Sequence, residues 1–151
     1  MNNSQKINLK SDCNLPWYTI STAVKTEASF IRTGSAHGFA IVNLEVQPHP
    51  NKQVAIFSDR IAEINCGTVL YSLKNSDRDT IEILEIIVSG IVRGIEKACL
   101  DLEQKSYLVG GIEIIVTSAK FHPINSRFYC YERAVHLALL KIFEESNLIE
   151  V

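Results

Sequence analysis

The chain has 151 residues, of which 46% are hydrophobic and 21% are charged, a balance that predicts one globular domain and excludes a chain that is disordered as a whole. Its net charge is −2 and its pI is about 6.1, whereas a broadly basic nucleic-acid-binding domain usually has a pI above about 9. Any contact with RNA must therefore come from a local patch of basic side chains.

The spacing of the cysteines and the hydropathy of the chain indicate the cellular compartment in which the protein is expected. The cysteines are widely spaced and form no C-x-x-C pair: Cys13, Cys66, Cys99 and Cys130. No apolar signal segment opens the chain, so we expect reduced, mostly buried thiols in a cytoplasmic protein. The most apolar run, residues 83–92, is broken by polar residues and is too short to span a bilayer. No membrane contact is expected.

The first half of the chain predicts strands. Residues 1–26 are interpreted as a partly flexible N-terminal extension, with residues 1–14 as a frayed tail, before a domain over residues 27–151. Over residues 28–46, hydrophobic residues alternate with polar or smaller ones, which predicts two strands of a hairpin. The segment from Gly34 to Gly38 is the predicted turn, because glycine tolerates positive φ. Further strands are expected at residues 53–57 and 64–73.

A long helix is predicted to follow. It begins near Asp79, which together with Glu82 resembles a capping box. Hydrophobic residues then recur every three or four positions, as on one buried helical face: Leu84, Val88, Ile91, Ile95, Ala98 and Leu102. Gly90 and Gly94 each weaken a helix by about 1 kcal/mol relative to Ala. We therefore expect them to allow close approach to the sheet.

The last third of the chain predicts a short strand over residues 112–116 and a closing helix over about residues 131–145. That helix is expected to bury five hydrophobic side chains: Val135, Ala138, Leu139, Ile142 and Phe143. Strands followed by a helix, a strand and a helix indicate an α+β fold. We expect a two-layer sandwich in which an antiparallel or mixed sheet is covered by two helices.

Two predicted turns each carry a histidine near basic residues. If both turns lie at one pole of the molecule, their side chains can contact phosphates and base edges of RNA. The candidate RNA-binding residues of turns 32–38 and 120–128 are Arg32, Thr33, His37, Lys120, Phe121, His122, Asn125 and Arg127. Phe121, Phe128, Tyr129 and Tyr131 offer surfaces on which unpaired bases can stack. The alternative is that one or two of these aromatic residues, Tyr131 above all, pack under the final helix.

Other chemistry has less support from the sequence. A zinc site using His37, His122 and a third ligand is conceivable, but no H-E-x-x-H or paired-cysteine spacing supports it. No G-x-S-x-G motif or G-x-x-x-x-G-K-[ST] phosphate loop is present. We therefore expect no cofactor, no bound nucleotide and no enzymatic activity. The two histidines and the basic residues can also be an ordinary solvated rim.

Four segments of the chain resemble known motifs, in order. The first, from Phe30 through the turn to Phe39, resembles a shortened F-V-x-Q-T-G-G-R-G-Q-Y-G-H-V, and residues 91–98 match the helix motif V-E-K-G-I-R-E-A. Residues 108–117 are similar to L-A-G-Y-P-V-V-D-V-x-V-T, and residues 120–135 resemble S-Y-H-x-V-D-S-S-E-x-A-F. Through these motifs the chain resembles the fourth domain of elongation factor G and its relatives, including ribosome-protection proteins. The resemblance covers about residues 27–146.

This resemblance implies a left-handed β-α-β crossover and a non-catalytic, translation-factor-like module that binds the ribosome or structured RNA. His122 would be the tip histidine, beside the turn from Gly34 to Gly38. The chain departs from the family where Ser35, Ala36 and His37 replace turn glycines and a glutamine, and where residues 125–131 replace an acidic segment. Because these 151 residues contain no phosphate loop and are too few to add a GTPase domain, we expect none within them. The alternative is a protein-interaction or self-assembling module, a possible homo-oligomer, that has lost RNA binding.

Overall fold

The computed structural model describes residues 3–7, 15–34, 37–51, 53–67, 69–73, 77–146 and 148–150. Within these ranges the strands are β1 (Asn3–Lys6), β2 (Trp17–Thr19), β3 (Val24–Arg32), β4 (Gly38–Pro48), β5 (Ala55–Asp59), β6 (Glu63–Cys66), β7 (Val69–Ser72), β8 (Leu108–Val109), β9 (Ile112–Lys120) and β10 (Ile149–Glu150). The helices of the same ranges are α1 (Arg78–Gln104) and α2 (Phe128–Glu145).

Strand β9 lies at the centre of the main sheet, whose order is β1-β5-β9-β4-β3. It pairs parallel with β5 and antiparallel with β4, and the β6–β7 hairpin joins its last residues through β6. Strands β10, β2 and β8 form a second, small sheet. Hydrophobic side chains from β9, α1 and α2, among them Ile114, Ile91 and Leu139, share one core. The fold is a mixed α+β arrangement, consistent with the predicted sandwich.

The predicted hairpin is confirmed. Strands β3 and β4 pair antiparallel along nine residue pairs, from Val24↔Val46 to Arg32↔Gly38. Gly34 has a φ of +98°, a conformation that favours glycine. Alternate residues of β4 are buried, including Val42 and Val46 at 0% exposure, because successive side chains of a strand point to opposite faces.

The single strand predicted over residues 64–73 is instead the β6–β7 hairpin. Its turn contains Gly67, whose φ is +75°. The side chain of Asn65 accepts a hydrogen bond from the Gly67 N–H at 3.0 Å, the local bond by which asparagine favours turns. The prediction of one continuous strand overlooked this combination of asparagine and glycine.

Helix α1 begins two residues earlier than predicted. Its N-cap is Asp77, not Asp79, and the Asp77 carboxylate accepts a hydrogen bond from the Thr80 N–H at 2.8 Å. The buried face includes Ile91, Ile95, Ala98 and Leu102 as predicted, whereas Leu84 and Val88 are only partly buried. The predicted spacing of three and four residues between buried positions is therefore confirmed, and the buried face of α1 is turned slightly toward α2.

The two glycines of α1 approach α2, not the sheet as we had predicted. A Cβ added to Gly90 would lie 2.2 Å from the Phe128 carbonyl oxygen, and one added to Gly94 would lie 2.6 Å from that of Glu132. Polar side-chain contacts reinforce the same crossing. The Glu132 carboxylate pairs with Lys97 and with Arg93, and the His136 ring lies 2.6 Å from the Asp101 carboxylate. Helix α2 itself begins three residues before its predicted start.

Much of the predicted N-terminal extension, residues 1–26, is integrated into the sheets. Strand β1 pairs with β5, although residues 1–14 were predicted to be a frayed tail, and residues 8–14 lie outside the described ranges. Strand β2 pairs parallel with β8, and β3 starts three residues before the predicted boundary at residue 27. Cys99 and Cys130 are buried free thiols, while Cys66 is partly exposed. Neither α1 nor α2 is long and apolar enough to cross a membrane.

Candidate nucleic-acid interface

The two predicted turns lie at the same pole of the sheet. Strand β4 begins at Gly38, directly after the first turn, and pairs antiparallel with the end of β9 through Ile41↔Lys120. Strand β6 ends at this pole too, because it runs parallel to β9 through Asn65↔Lys120. The first turn, the β6–β7 turn and the segment 121–127, called here the tip loop, therefore converge at one end of the molecule.

Ser126 holds the tip loop against the sheet. Its hydroxyl accepts a hydrogen bond from the His122 N–H at 2.8 Å and donates one to the Phe39 carbonyl oxygen at 2.7 Å. The side chain is 2% exposed, and the buried Tyr131 hydroxyl lies 3.4 Å from it. The same Tyr131 hydroxyl donates to the Lys120 carbonyl oxygen at 2.6 Å. The loop is thus fixed to both β4 and α2.

His122 closes the tip loop through one ring nitrogen. Its Nδ1 accepts hydrogen bonds from the backbone N–H groups of Ile124 and Asn125, at 3.2 and 3.1 Å. An accepting nitrogen carries no proton, so this geometry places the proton of the neutral ring on Nε2. The ring is partly exposed and lies 6.2 Å from the Phe39 ring, centroid to centroid. Nε2–H remains a donor for an external group.

The three predicted basic residues are exposed at this pole. The Arg32 guanidinium lies over the Phe30 ring, 5.5 Å from its centroid. Arg127 is the N-cap residue of α2, and its guanidinium donates to the carbonyl oxygens of Ile124 and Ser126. Within the described part of the chain, no acidic side chain forms an ion pair with Lys120. Each cation keeps donors that face solvent.

The aromatic residues separate into buried and exposed groups. Phe121 is 7% exposed, and its backbone N–H donates to the Asn65 carbonyl oxygen at 2.8 Å. The prediction of Phe121 as a freely stacking residue is therefore wrong, because the end of β9 turns this ring into the core. Phe128 and Tyr129 are 41% and 48% exposed on the first turn of α2. Tyr131 is fully buried, the alternative that the sequence also left open.

The other predicted RNA-binding residues, Thr33, His37 and Asn125, differ in their exposure and in their contacts. Thr33 and His37 are exposed, and residues 35 and 36 between them lie outside the described ranges. Asn125 is half-buried, and its backbone carbonyl accepts a weak hydrogen bond from the Cys130 thiol at 3.7 Å. Because its N–H also donates to His122, Asn125 contributes to loop closure through its backbone.

Acidic side chains flank the same pole. Glu63 shares a surface cavity with Lys120 on the sheet side, and Glu82 and Glu85 share one with Arg127 on the helix side. The pole is therefore mixed in charge. Among the described residues, no three histidine, cysteine, aspartate or glutamate side chains are placed to share a metal ion.

The similarity of this chain to known proteins lies in its fold. No protein-family model matches the chain, and no curated protein matches it. The crystal structure of a protein from Thermus thermophilus superposes with a TM-score of 0.61 at 18% identity, over 93% of this chain. At this identity the likeness shows the fold alone. The chain spans 18% of that protein's length, so the fold occurs there as one part of a larger molecule.

Proposed function

We propose that this protein is a non-catalytic, translation-factor-like module that binds the ribosome or structured RNA through residues 32–38 and 120–128. The observation that carries the proposal is the hydrogen bond from the Ser126 hydroxyl to the Phe39 carbonyl oxygen. It fixes the tip loop beside the start of β4, and it therefore supports a single binding surface made of side chains that are distant in sequence.

The resemblance to the fourth domain of elongation factor G supplies the class of partner. Under this proposal the connection from β5 through α1 to β9 is the left-handed crossover of that family. The parallel pairing of β5 with β9 is compatible with such a crossover. The protein would act in the cytoplasm, without bound nucleotide, and a GTPase would have to be supplied by another protein or domain.

The limited number of cations sets the expected strength of binding. If Arg32, Lys120 and Arg127 each neutralise one phosphate, the slope of log K against log salt is about −2 on single-stranded RNA. That is a shallow salt dependence, as the mixed charge of the pole and the net charge of −2 require.

Co-sedimentation with ribosomes and filter binding of structured ribosomal RNA, both at low and at physiological salt, test this proposal. We expect saturable, salt-dependent binding by the parent protein and weaker binding by Lys120→Ala and His122→Ala. Lys141→Ala is the matched control, because Lys141 is also exposed but lies 13 residues after Phe128 on α2, about 20 Å along the helix. Absence of salt-dependent binding by the parent would refute the proposal.

A second candidate, self-assembly, is favoured by one observation. Strand β3 ends the main sheet, so its outer edge is unpaired among the described strands, and Ile31 on it is 59% exposed. Such edges are templates for pairing with a second chain. Gel filtration with light scattering distinguishes the candidates. A stable dimer that Ile31→Glu converts to a monomer would favour assembly, whereas a monomeric parent would dismiss it.

A further inference from the structure

A cavity of about 440 Å³ opens between the tip loop and the β6–β7 turn. None of the sequence motifs pointed to it, because the turn was predicted as part of a continuous strand. Among the described residues it is lined by the start of β4, the end of β6 with its turn, the end of β9 and the tip loop: Phe39, Asn65, Cys66, Gly67, Lys120, Phe121, His122 and Pro123.

The walls of this cavity combine flat apolar surfaces with hydrogen-bond donors. The Phe39 and His122 rings and the Pro123 ring provide the apolar part. His122 and Lys120 also line the cavity, and the imidazole N–H and the ammonium group are their side-chain donors. Nucleobases are recognised in this way, by stacking on rings while their edges and phosphates accept hydrogen bonds. The cavity is larger than one base, so part of the sugar also fits.

The mixed charge at the pole favours contacts with RNA bases over contacts with the RNA phosphates alone. The three predicted cations Arg32, Lys120 and Arg127 give few phosphate contacts, and Glu63 beside Lys120 weakens their field. Affinity for RNA must then come largely from bases. A base in a duplex is stacked between its neighbours and cannot enter a walled cavity, whereas an unpaired base can be splayed out into one.

We infer that this cavity binds one unpaired nucleotide of an RNA strand, with its base between the β6–β7 turn and the His122 ring and its phosphate on Lys120. The inference rests on the proposed function, since it assumes that this pole contacts RNA. It adds a third loop to the interface, and it makes the unpaired state of the RNA a condition of tight binding.

Fluorescence anisotropy with two labelled RNA probes tests the cavity. One probe is a hairpin with a long unpaired uridine loop, and the other is the same stem extended into a fully paired duplex. We expect the parent to bind the hairpin about tenfold more tightly, as one stacked base allows. Cys66→Phe fills the cavity and should remove this preference, whereas Lys120→Ala should weaken the binding of both probes.

Leu100→Phe is the matched control for the added ring, because Leu100 is 44% exposed on α1, away from the pole. It should keep the preference for the hairpin. Thermal unfolding of Cys66→Phe establishes that the variant is folded. Should it not fold, an alkylation measurement on the unfilled cavity provides the test.

Alkylation of Cys66 gives this independent readout. In a Cys13→Ser background, Cys66 is the reactive thiol, since Cys99 and Cys130 are buried. Burial raises the pKa of the Cys66 thiol, so the reaction with iodoacetamide is run at alkaline pH to supply thiolate. We expect the hairpin probe to slow alkylation severalfold and the duplex probe to leave it unchanged at equal concentration.

The outcomes separate this inference from the proposed function. Equal affinity for hairpin and duplex, with Cys66 equally reactive in both complexes, would overturn the nucleotide cavity and leave RNA contact at the pole intact. Failure of the parent to bind either probe would overturn both. A hairpin preference that survives in a folded Cys66→Phe variant would likewise overturn the cavity alone.

Discussion

The two ends of strand β9 use polar side chains in opposite ways. At its start, the Glu113 carboxylate accepts hydrogen bonds from Ser58 at 2.5 Å and Gln47 at 2.9 Å, with Arg60 at 3.8 Å. At its end, about 23 Å away for an extended strand, the Lys120 ammonium group and the Nε2 of His122 have no partner within the described residues. One end satisfies its polar groups internally, and the other leaves them available to a ligand. Satisfied groups stabilise the fold, whereas available groups provide recognition.

The largest loss of stability is expected for Gly90→Ala, which would overpack the contact between α1 and the start of α2, beside the tip loop. In Gly90→Ala the new Cβ would lie 2.2 Å from the Phe128 carbonyl oxygen, so the start of α2 must move. We expect a loss of about 3 kcal/mol in unfolding free energy, as in overpacked cores, measured by urea denaturation. Ser89→Ala, at the neighbouring exposed position, should change stability by less than about 0.5 kcal/mol. Similar curves for both variants would contradict the tight helix crossing.

Ser126→Ala would detach the tip loop from β4. It leaves the His122 N–H and the Phe39 carbonyl oxygen without the bonds that the hydroxyl now makes. Because unsatisfied buried groups are costly, we expect a loss of about 2 kcal/mol, together with weaker RNA binding by the folded variant. Thermal unfolding and anisotropy measure the two effects. Unchanged RNA affinity in the folded variant would show that the loop position is not needed for recognition.

Glu113→Gln tests the end whose polar groups are satisfied. The hydrogen bond from Ser58, followed by those from Gln47 and the charge of Arg60, lowers the pKa of Glu113. A lowered pKa stabilises the folded state above the unfolded value of about 4.3, and this contribution is lost as pH falls through the folded value. The variant should be less stable by about 1 kcal/mol at pH 7, and the gap should close on acidification. A gap that persists at low pH would contradict this origin.

The smallest effect on stability is expected for Lys120→Ala. Because the Lys120 ammonium has no ionic partner in the described ranges, its loss should change the unfolding free energy by less than about 0.5 kcal/mol. RNA affinity should nevertheless fall severalfold, since one phosphate contact is removed. Denaturation and binding curves on the same preparation check both. A stability loss as large as that of Ser126→Ala would contradict the view that polar groups at the start of β9 stabilise the fold whereas Lys120 at its end does not.

Sequence patterns predicted the elements whose signals are local. The alternation along β4 and the glycines at residues 34 and 38 predicted the hairpin, and the intervals of three and four residues predicted α1. The N-cap was misplaced because Asp77 and Thr80 have the same spacing as Asp79 and Glu82, and spacing alone cannot choose between them. The prediction that Gly90 and Gly94 approach the sheet was wrong, because a glycine indicates that another element can pack closely but does not indicate which element it is.

The candidate site was only partly predictable for a similar reason. Histidine and basic residues in two turns indicated one polar pole, and the strand register brings those turns together. The burial of Phe121 depends on how the end of β9 packs against Tyr131. This is a tertiary contact, so no local sequence pattern predicts it. The β6–β7 turn was detectable in principle from Asn65 and Gly67, two turn-forming residues inside a hydrophobic run.

The central position of β9 dictates an order of folding. Strands β5 and β4 are made more than 60 residues before the end of β9 emerges, yet each needs β9 beside it. A nascent chain that stops before residue 112 would hold the β3–β4 hairpin and β1–β5 ribbon without the strand that joins them. Closure of such distant pairs is slow compared with local contacts. During synthesis these strand edges therefore stay unpaired until Lys120, the last residue of β9, has been translated, and chaperone capture is expected over that interval.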